Sequence, residues 1–176
     1  MMEFKASVLI AKAEGFRGDI YRCPAGKLTT WYGRNLEVYP FTNLEESIVL
    51  GADKKDVVNY AFDWVFFRVL EIKERLEQER FWLRLSDERR AVCIDMCFNL
   101  GIKGFLGFKK MIKALEEDAY IRAAAEMEDS KWFRQVGNRG KRNVAIMRDN
   151  KIADNTPLDE PIYLQAIYAK NKDELW

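Results

Sequence analysis

Residues 14–35 read EGFRGDIYRCPAGKLTTWYGRN, and the four glycines and one proline in that span rule out a continuous helix. Pro24, Ala25 and Gly26 are turn chemistry between two segments rich in Ile, Tyr, Leu, Thr and Trp, so the local expectation is a short β-hairpin or small sheet. Just upstream, Phe4, Val8 and Ala11 fall on one helical stripe within residues 2–13, with Gly15 placed as a left-handed cap. Glu14 therefore closes a helix at the negative end of its dipole, a setting that suits a proton donor. From that residue alone, a surface glutamate that merely ends a helix is the favoured reading.

The spacing adds more. Eight residues separate Glu14 from Cys23, and five separate Cys23 from Thr29. Around them stand a Tyr two before Cys23, then Gly26, an aromatic after Thr29, and Gly33. Downstream, RRAVCIDMCFNLG over residues 89–101 is followed by Gly107 and Phe108, and SKWFRQVGNRGKR occupies residues 130–142. This ordered set resembles the phage lysozyme family, glycoside hydrolase family 24, and in particular its T-even coliphage members. The likeness covers most of residues 14–151 and is poorest over residues 35–54.

The resemblance implies an α+β, mostly helical, lysozyme-like fold. A small N-terminal lobe with the hairpin (1–53) would be joined by a long helix (54–80) to a helical C-terminal lobe (81–158), with an extra tail (159–176). It implies hydrolysis of the β-1,4 bond between N-acetylmuramic acid and N-acetylglucosamine in peptidoglycan. Glu14 takes the place of the acid, Cys23 that of the usual Asp, and Thr29 that of the hydroxyl that orients water. Phe98, Asn99 and Gly33 match substrate-contacting positions, and Arg139 matches an arginine expected to support the acid. Arg34 stands where relatives commonly have His, and Trp31 where they commonly have the first Gly of a G-x-G pair. Asp63 offers itself as a partner for Arg34.

Cys for Asp changes the physics, because a thiol with a pKa near about 8.5 is mostly neutral at about pH 7. Arg22, adjacent in sequence, is the expected source of a lowered thiol pKa. A lytic transglycosylase, or a wall-binding or phage-structural protein of the same fold without turnover, stands as the alternative.

The remaining chain fits a folded soluble protein. Apolar residues at 48% and charged residues at 32% suit an ordinary globular protein. A net charge of +1 gives no field for nucleic acid. The run Lys131, Arg134, Arg139, Lys141, Arg142, Arg148 and Lys151 suggests a basic surface that would attract an anionic wall, or simply a solvated helix face. Without histidine, and with Cys93 and Cys97 in an apolar helix, no metal or other cofactor is expected. Reduced thiols fit a cytoplasmic protein, and the short apolar N-terminal run is too brief for a signal or anchor helix, so no stable membrane insertion is expected. The resemblance implies synthesis in a host bacterial cytoplasm, action on the wall after release, and a monomer.

Periodicity sets the other elements. Residues 36–46, with Pro40, read as a loop with room for one helical turn. Asp53 is a candidate N-cap for an amphipathic helix over 54–80, with Val58, Ala61, Phe62, Val65, Val69, Ile72 and Leu76 inward. Ser86 caps a helix that Gly101 should close, with Ala91, Ile94, Cys97 and Phe98 as its apolar stripe. Helices follow over about 108–117, 120–129 and 139–151, with Trp132 and Phe133 as core anchors. Asn155, Pro157 and Pro161 end the last helix, and residues 162–168 form an apolar patch.

Overall fold

A computed structural model describes residues 2–51 and 54–152, and their side chains apart from 48–51, 54 and 55. Asp53, Asn155, Pro157, Pro161 and the apolar patch at 162–168 lie outside the described residues. Among those described, eight α-helices and one three-stranded antiparallel sheet make up the α+β, mostly helical class that the sequence predicts. The described residues divide into two compact units, one within 10–66 and the other formed by 2–9 with 67–152.

Helix α1, Met2–Glu14, is buried well beyond the expected stripe: Ala6, Leu9 and Ile10 join Val8 and Ala11 in the core, while Phe4 is half-buried. A helix apolar on most sides has to be enclosed. Its one buried hydroxyl, Ser7, donates to the Glu3 carbonyl at 2.9 Å. Gly15, at φ +69°, ends it by donating its N–H to the Ala11 carbonyl at 3.0 Å.

In the Ile10–Phe66 unit, β1 (Arg17–Arg22), β2 (Leu28–Trp31) and β3 (Arg34–Asn35) pair in that order, with an irregularity in β1 between Arg17 and Tyr21. The β1–β2 turn closes through Gly26 N–H to Cys23 O at 2.7 Å, with Gly26 at φ +77°. Residues 36–46 hold the expected loop and one helical turn, which is the start of a longer helix, α2, at Asn43–Gly51. Its start is a capping box: the Glu45 N–H donates to the Thr42 hydroxyl at 3.2 Å, and the Thr42 N–H donates to the Glu45 carboxylate at 2.8 Å. That T-x-x-E signal is in the sequence, with Pro40 two residues ahead of it. Helix α3, Lys54–Leu76, follows and stops four residues short of its expected end.

In the other unit, Val69, Ile72 and Leu76 of α3 are buried as the periodicity predicts. A single 3-10 turn at Trp82–Arg84 leads to α4, Asp87–Leu106, capped by the Ser86 hydroxyl accepting from the Arg89 N–H. Gly101 breaks α4 at φ +71°, as expected, but a further helical stretch then runs to Leu106. Helices α5 (Lys109–Glu116), α6 (Tyr120–Glu128) and α8 (Asn138–Asp149) match the expected segments to within two residues. Between them lies α7, Lys131–Val136, a helix the sequence reading did not separate, capped by the Ser130 hydroxyl. A Cβ on Gly140 would stand 2.9 Å from the Phe133 ring, so the close approach of α7 and α8 needs glycine there.

Candidate active site

The turn after β1 places Cys23 and Thr29 side by side. The Cys23 N–H and the Thr29 hydroxyl both donate to the Lys27 carbonyl, each at 2.9 Å. Thr29 is buried and Cys23 half-buried. The Cys23 thiol pKa is lowered, chiefly by the Lys27 backbone hydrogen bond; burial, the next-largest effect, opposes this, and the Thr29 hydroxyl and the Ala25 backbone lower it further. Arg22, the expected cause, instead donates to the Gly26 carbonyl at 2.8 Å and braces the turn. The distinction is physical: an amide pointed at the sulfur stabilises a thiolate directly, whereas an exposed guanidinium is screened by water.

Glu14 is half-buried at the C-terminal end of α1. Gly33 lies against its carboxyl, since a Cβ built on Gly33 would sit 3.0 Å from Glu14 Oε2. Gly33 also has φ +78°, so two independent constraints demand glycine there. The structure thus gives Gly33, expected as a substrate contact, a place beneath the acid.

Arg34 is 3% exposed and spends its donors on Tyr39 O (2.8 Å), Pro40 O (2.6 Å) and both Glu45 oxygens (2.6 and 3.0 Å). Its partner is therefore Glu45 of α2, and not Asp63, which is exposed. The guanidinium also lies 5.0, 4.8 and 5.6 Å from the rings of Trp31, Phe41 and Trp64. Trp31 occupies φ +55°, a conformation that costs a non-glycine residue about 1–2 kcal/mol. Its ring is 1% exposed and packs 5.0 Å from Phe41, and burial of that size exceeds the strain. The two departures from the family pattern, Trp31 and Arg34, belong to one packed cluster.

The other unit holds the remaining candidates. Phe98 is half-buried and Asn99 exposed, with Asn99 Oδ1 accepting from Trp132 Nε1 at 2.9 Å. The Asn99 amide N–H groups are left to donate. Arg139 is an interior residue: its Nε meets Asp95 Oδ2 at 3.0 Å, and its Nη2 meets Asp95 Oδ1 at 3.1 Å and Asp95 O at 3.2 Å.

Asp95 has no exposed surface and also engages Arg142 (3.3 Å) and Asn143 Nδ2 (2.5 Å). Burial lowers the Arg142 pKa, and the Asp95 charge works against that effect. Sequence reasoning missed Asp95. The signal was there, a lone acid inside the apolar run of residues 91–98, since a carboxylate is seldom fully buried unless it is paired.

Of the basic residues expected on that surface, Arg139 and Arg142 engage the buried Asp95 and Arg148 pairs with Asp149, while Lys131, Arg134 and Lys141 are exposed. Cys93 and Cys97 are buried, and burial pushes both thiols up, which makes them inert core groups. Among the described residues, no group of His, Cys, Asp and Glu side chains is arranged to hold a metal ion, and no single helix is long and apolar enough to cross a membrane.

The family profile described as Phage lysozyme matches residues 11–149. The chain belongs to the phage lysozyme family. Two relatives from Dictyostelium discoideum, named probable T4-type lysozymes 1 and 2, are 35% identical over 63 residues and 27% identical over 70 residues. These alignments cover 36% and 40% of this chain, and 37% and 41% of the relatives, so the chain matches under half the length of either lysozyme relative.

Proposed function

We propose that this phage lysozyme family member hydrolyses the β-1,4 bond between N-acetylmuramic acid and N-acetylglucosamine in bacterial peptidoglycan and so lyses the host cell. The observation that carries the reading is the pairing of Cys23 and Thr29 on the Lys27 carbonyl, in the same unit as a half-buried Glu14 seated on Gly33.

Glu14 gives its proton to the departing glycosidic oxygen as the carbon–oxygen bond breaks. The Cys23 thiolate takes a proton from water, whose oxygen bonds to the anomeric carbon, and Thr29 orients that water. Such a division of labour is that of an inverting glycosidase. Phe98 and Asn99 are proposed as sugar contacts and Arg139 as support for the acid, all three by family likeness. Arg34, next to Gly33 in sequence, ties β3 to the loop at Tyr39 and Pro40 and to Glu45 of α2. The three free cysteines support synthesis in a reducing cytoplasm, with action on the wall after release.

The test is clearing of a purified cell-wall suspension by the wild-type chain beside Glu14→Gln, with mass analysis of the products. Clearing by the wild type, loss in Glu14→Gln, and reducing-end muramic acid are expected. An anhydromuramic product would replace hydrolysis by transglycosylation, and equal clearing by both proteins would remove Glu14 from the acid's role. Binding of the wall without clearing by either would assign a non-catalytic function.

A further inference from the structure

Tyr21 pairs directly with Thr29 across the antiparallel β1–β2 ladder, so the two side chains leave the sheet on the same face. Cys23 stands two residues beyond Tyr21, and its N–H bond to Lys27 O continues that ladder, which brings its sulfur to the same face. Three chemically active side chains therefore share one small surface, and only two of them belong to the reading above.

The Tyr21 ring is held from one side. Arg17 Cζ lies 3.7 Å from its centroid, and Arg17 is in turn fixed to Asp19 through Nε–Oδ1 (3.0 Å) and Nη2–Oδ2 (2.5 Å). The Tyr21 hydroxyl makes no hydrogen bond to another described residue. Burial raises the phenol pKa most; Arg17 opposes this, and the charges of Glu14 and Cys23 add to the rise. The hydroxyl is thus near enough to feel both groups, and it remains a donor at neutral pH.

A water held by Cys23 and Thr29 is short of one partner. The Thr29 proton is given to Lys27 O, so in that geometry its oxygen accepts, as does a Cys23 thiolate. Both water protons are then used, and neither of these two groups donates to its oxygen. We propose that the Tyr21 hydroxyl donates to the attacking water, and that Arg17 is a positioning residue that holds the ring for it. This rests on the hydrolase reading. During the step one water proton passes to the Cys23 sulfur, the water oxygen's second lone pair attacks the anomeric carbon, and the Tyr21 O–H stays intact.

The experiment compares wild type, Tyr21→Phe, Arg17→Gln and the double variant on solubilised, uncross-linked peptidoglycan strands, with kcat, KM and melting temperature measured for each. Tyr21→Phe keeps the ring and its Arg17 contact, so it should melt with the wild type, lose about tenfold or more in kcat, and keep KM within about twofold. Arg17→Gln should lose part of that kcat, and the double variant should be no worse than Tyr21→Phe. With an active wild type, an unchanged kcat in Tyr21→Phe, a loss confined to KM, additive losses in the double variant, or a loss that tracks a lower melting temperature would each overturn the assignment alone. A wild type that turns over no wall at all would overturn the hydrolase reading and this assignment with it.

Discussion

Cys23 and Thr29 are tied to a single acceptor, the carbonyl oxygen of Lys27, which receives the amide of one and the hydroxyl of the other at 2.9 Å each. Because the hydroxyl rotates, it can turn its proton from Lys27 toward the sulfur once the thiol ionises. That makes the thiol acidity a property of the turn and its Thr29 partner. The lowered pKa places the iodoacetamide reaction midpoint of Cys23 below that of a free cysteine, with reactivity rising as pH rises through it. Thr29→Val should move the midpoint upward, and Arg22→Gln should leave it in place. Mass spectrometry of Cys23 alkylation against pH measures all three.

Gly33→Ala tests the seat of the acid. The new methyl would meet Glu14 Oε2 at 3.0 Å on a backbone at φ +78°. The conformational cost is about 1 kcal/mol, small beside the cost of displacing a reacting group, for which a shift of about 1 Å can mean roughly a hundredfold in rate. Wall clearing should fall at least about tenfold while the melting temperature drops by only a few degrees. Clearing and melting measured on one preparation separate these effects.

The Arg34–Glu45 pair is the unit's main electrostatic clamp. Arg34, with help from the Thr42 N–H, holds the Glu45 carboxyl down to about 2. A folded pKa below the unfolded one means that the stabilisation is complete above about pH 5 and is lost as pH falls from about 4.5 toward 2. Glu45→Gln leaves a buried guanidinium short of its countercharge and should cost about 3 kcal/mol at pH 7. Urea unfolding of the two proteins at pH 7 and pH 3 should show the gap narrowing at the lower pH.

Asp95 carries the other unit's polar core. Asp95→Ala takes the shared carboxylate away from the Arg139 and Arg142 guanidinia, whose side chains are 8% and 23% exposed, and should destabilise the protein by about 3–5 kcal/mol. Asp95→Asn keeps an acceptor for Arg139 and should lose less. Equal stability of the Ala variant and the wild type in urea would contradict the network's role.

Residue order alone determined the helix-to-hairpin transition at Gly15, the turn at residues 23–26, the cap at Ser86, the break in α4 at Gly101, and the closeness of Cys23 to Thr29. Those follow from contacts a few residues apart, which local conformation and spacing encode. Helix α2 was equally local, through Thr42 and Glu45, but was hidden by the proline beside it. Tertiary structure alone decided that Arg34 finds Glu45 rather than Asp63, that Asp95 gathers two arginines 44 and 47 residues further along the chain, and that Tyr21 shares a face with the site. A buried charge takes whichever partner the packed backbone brings within reach, and sequence patterning does not specify that choice.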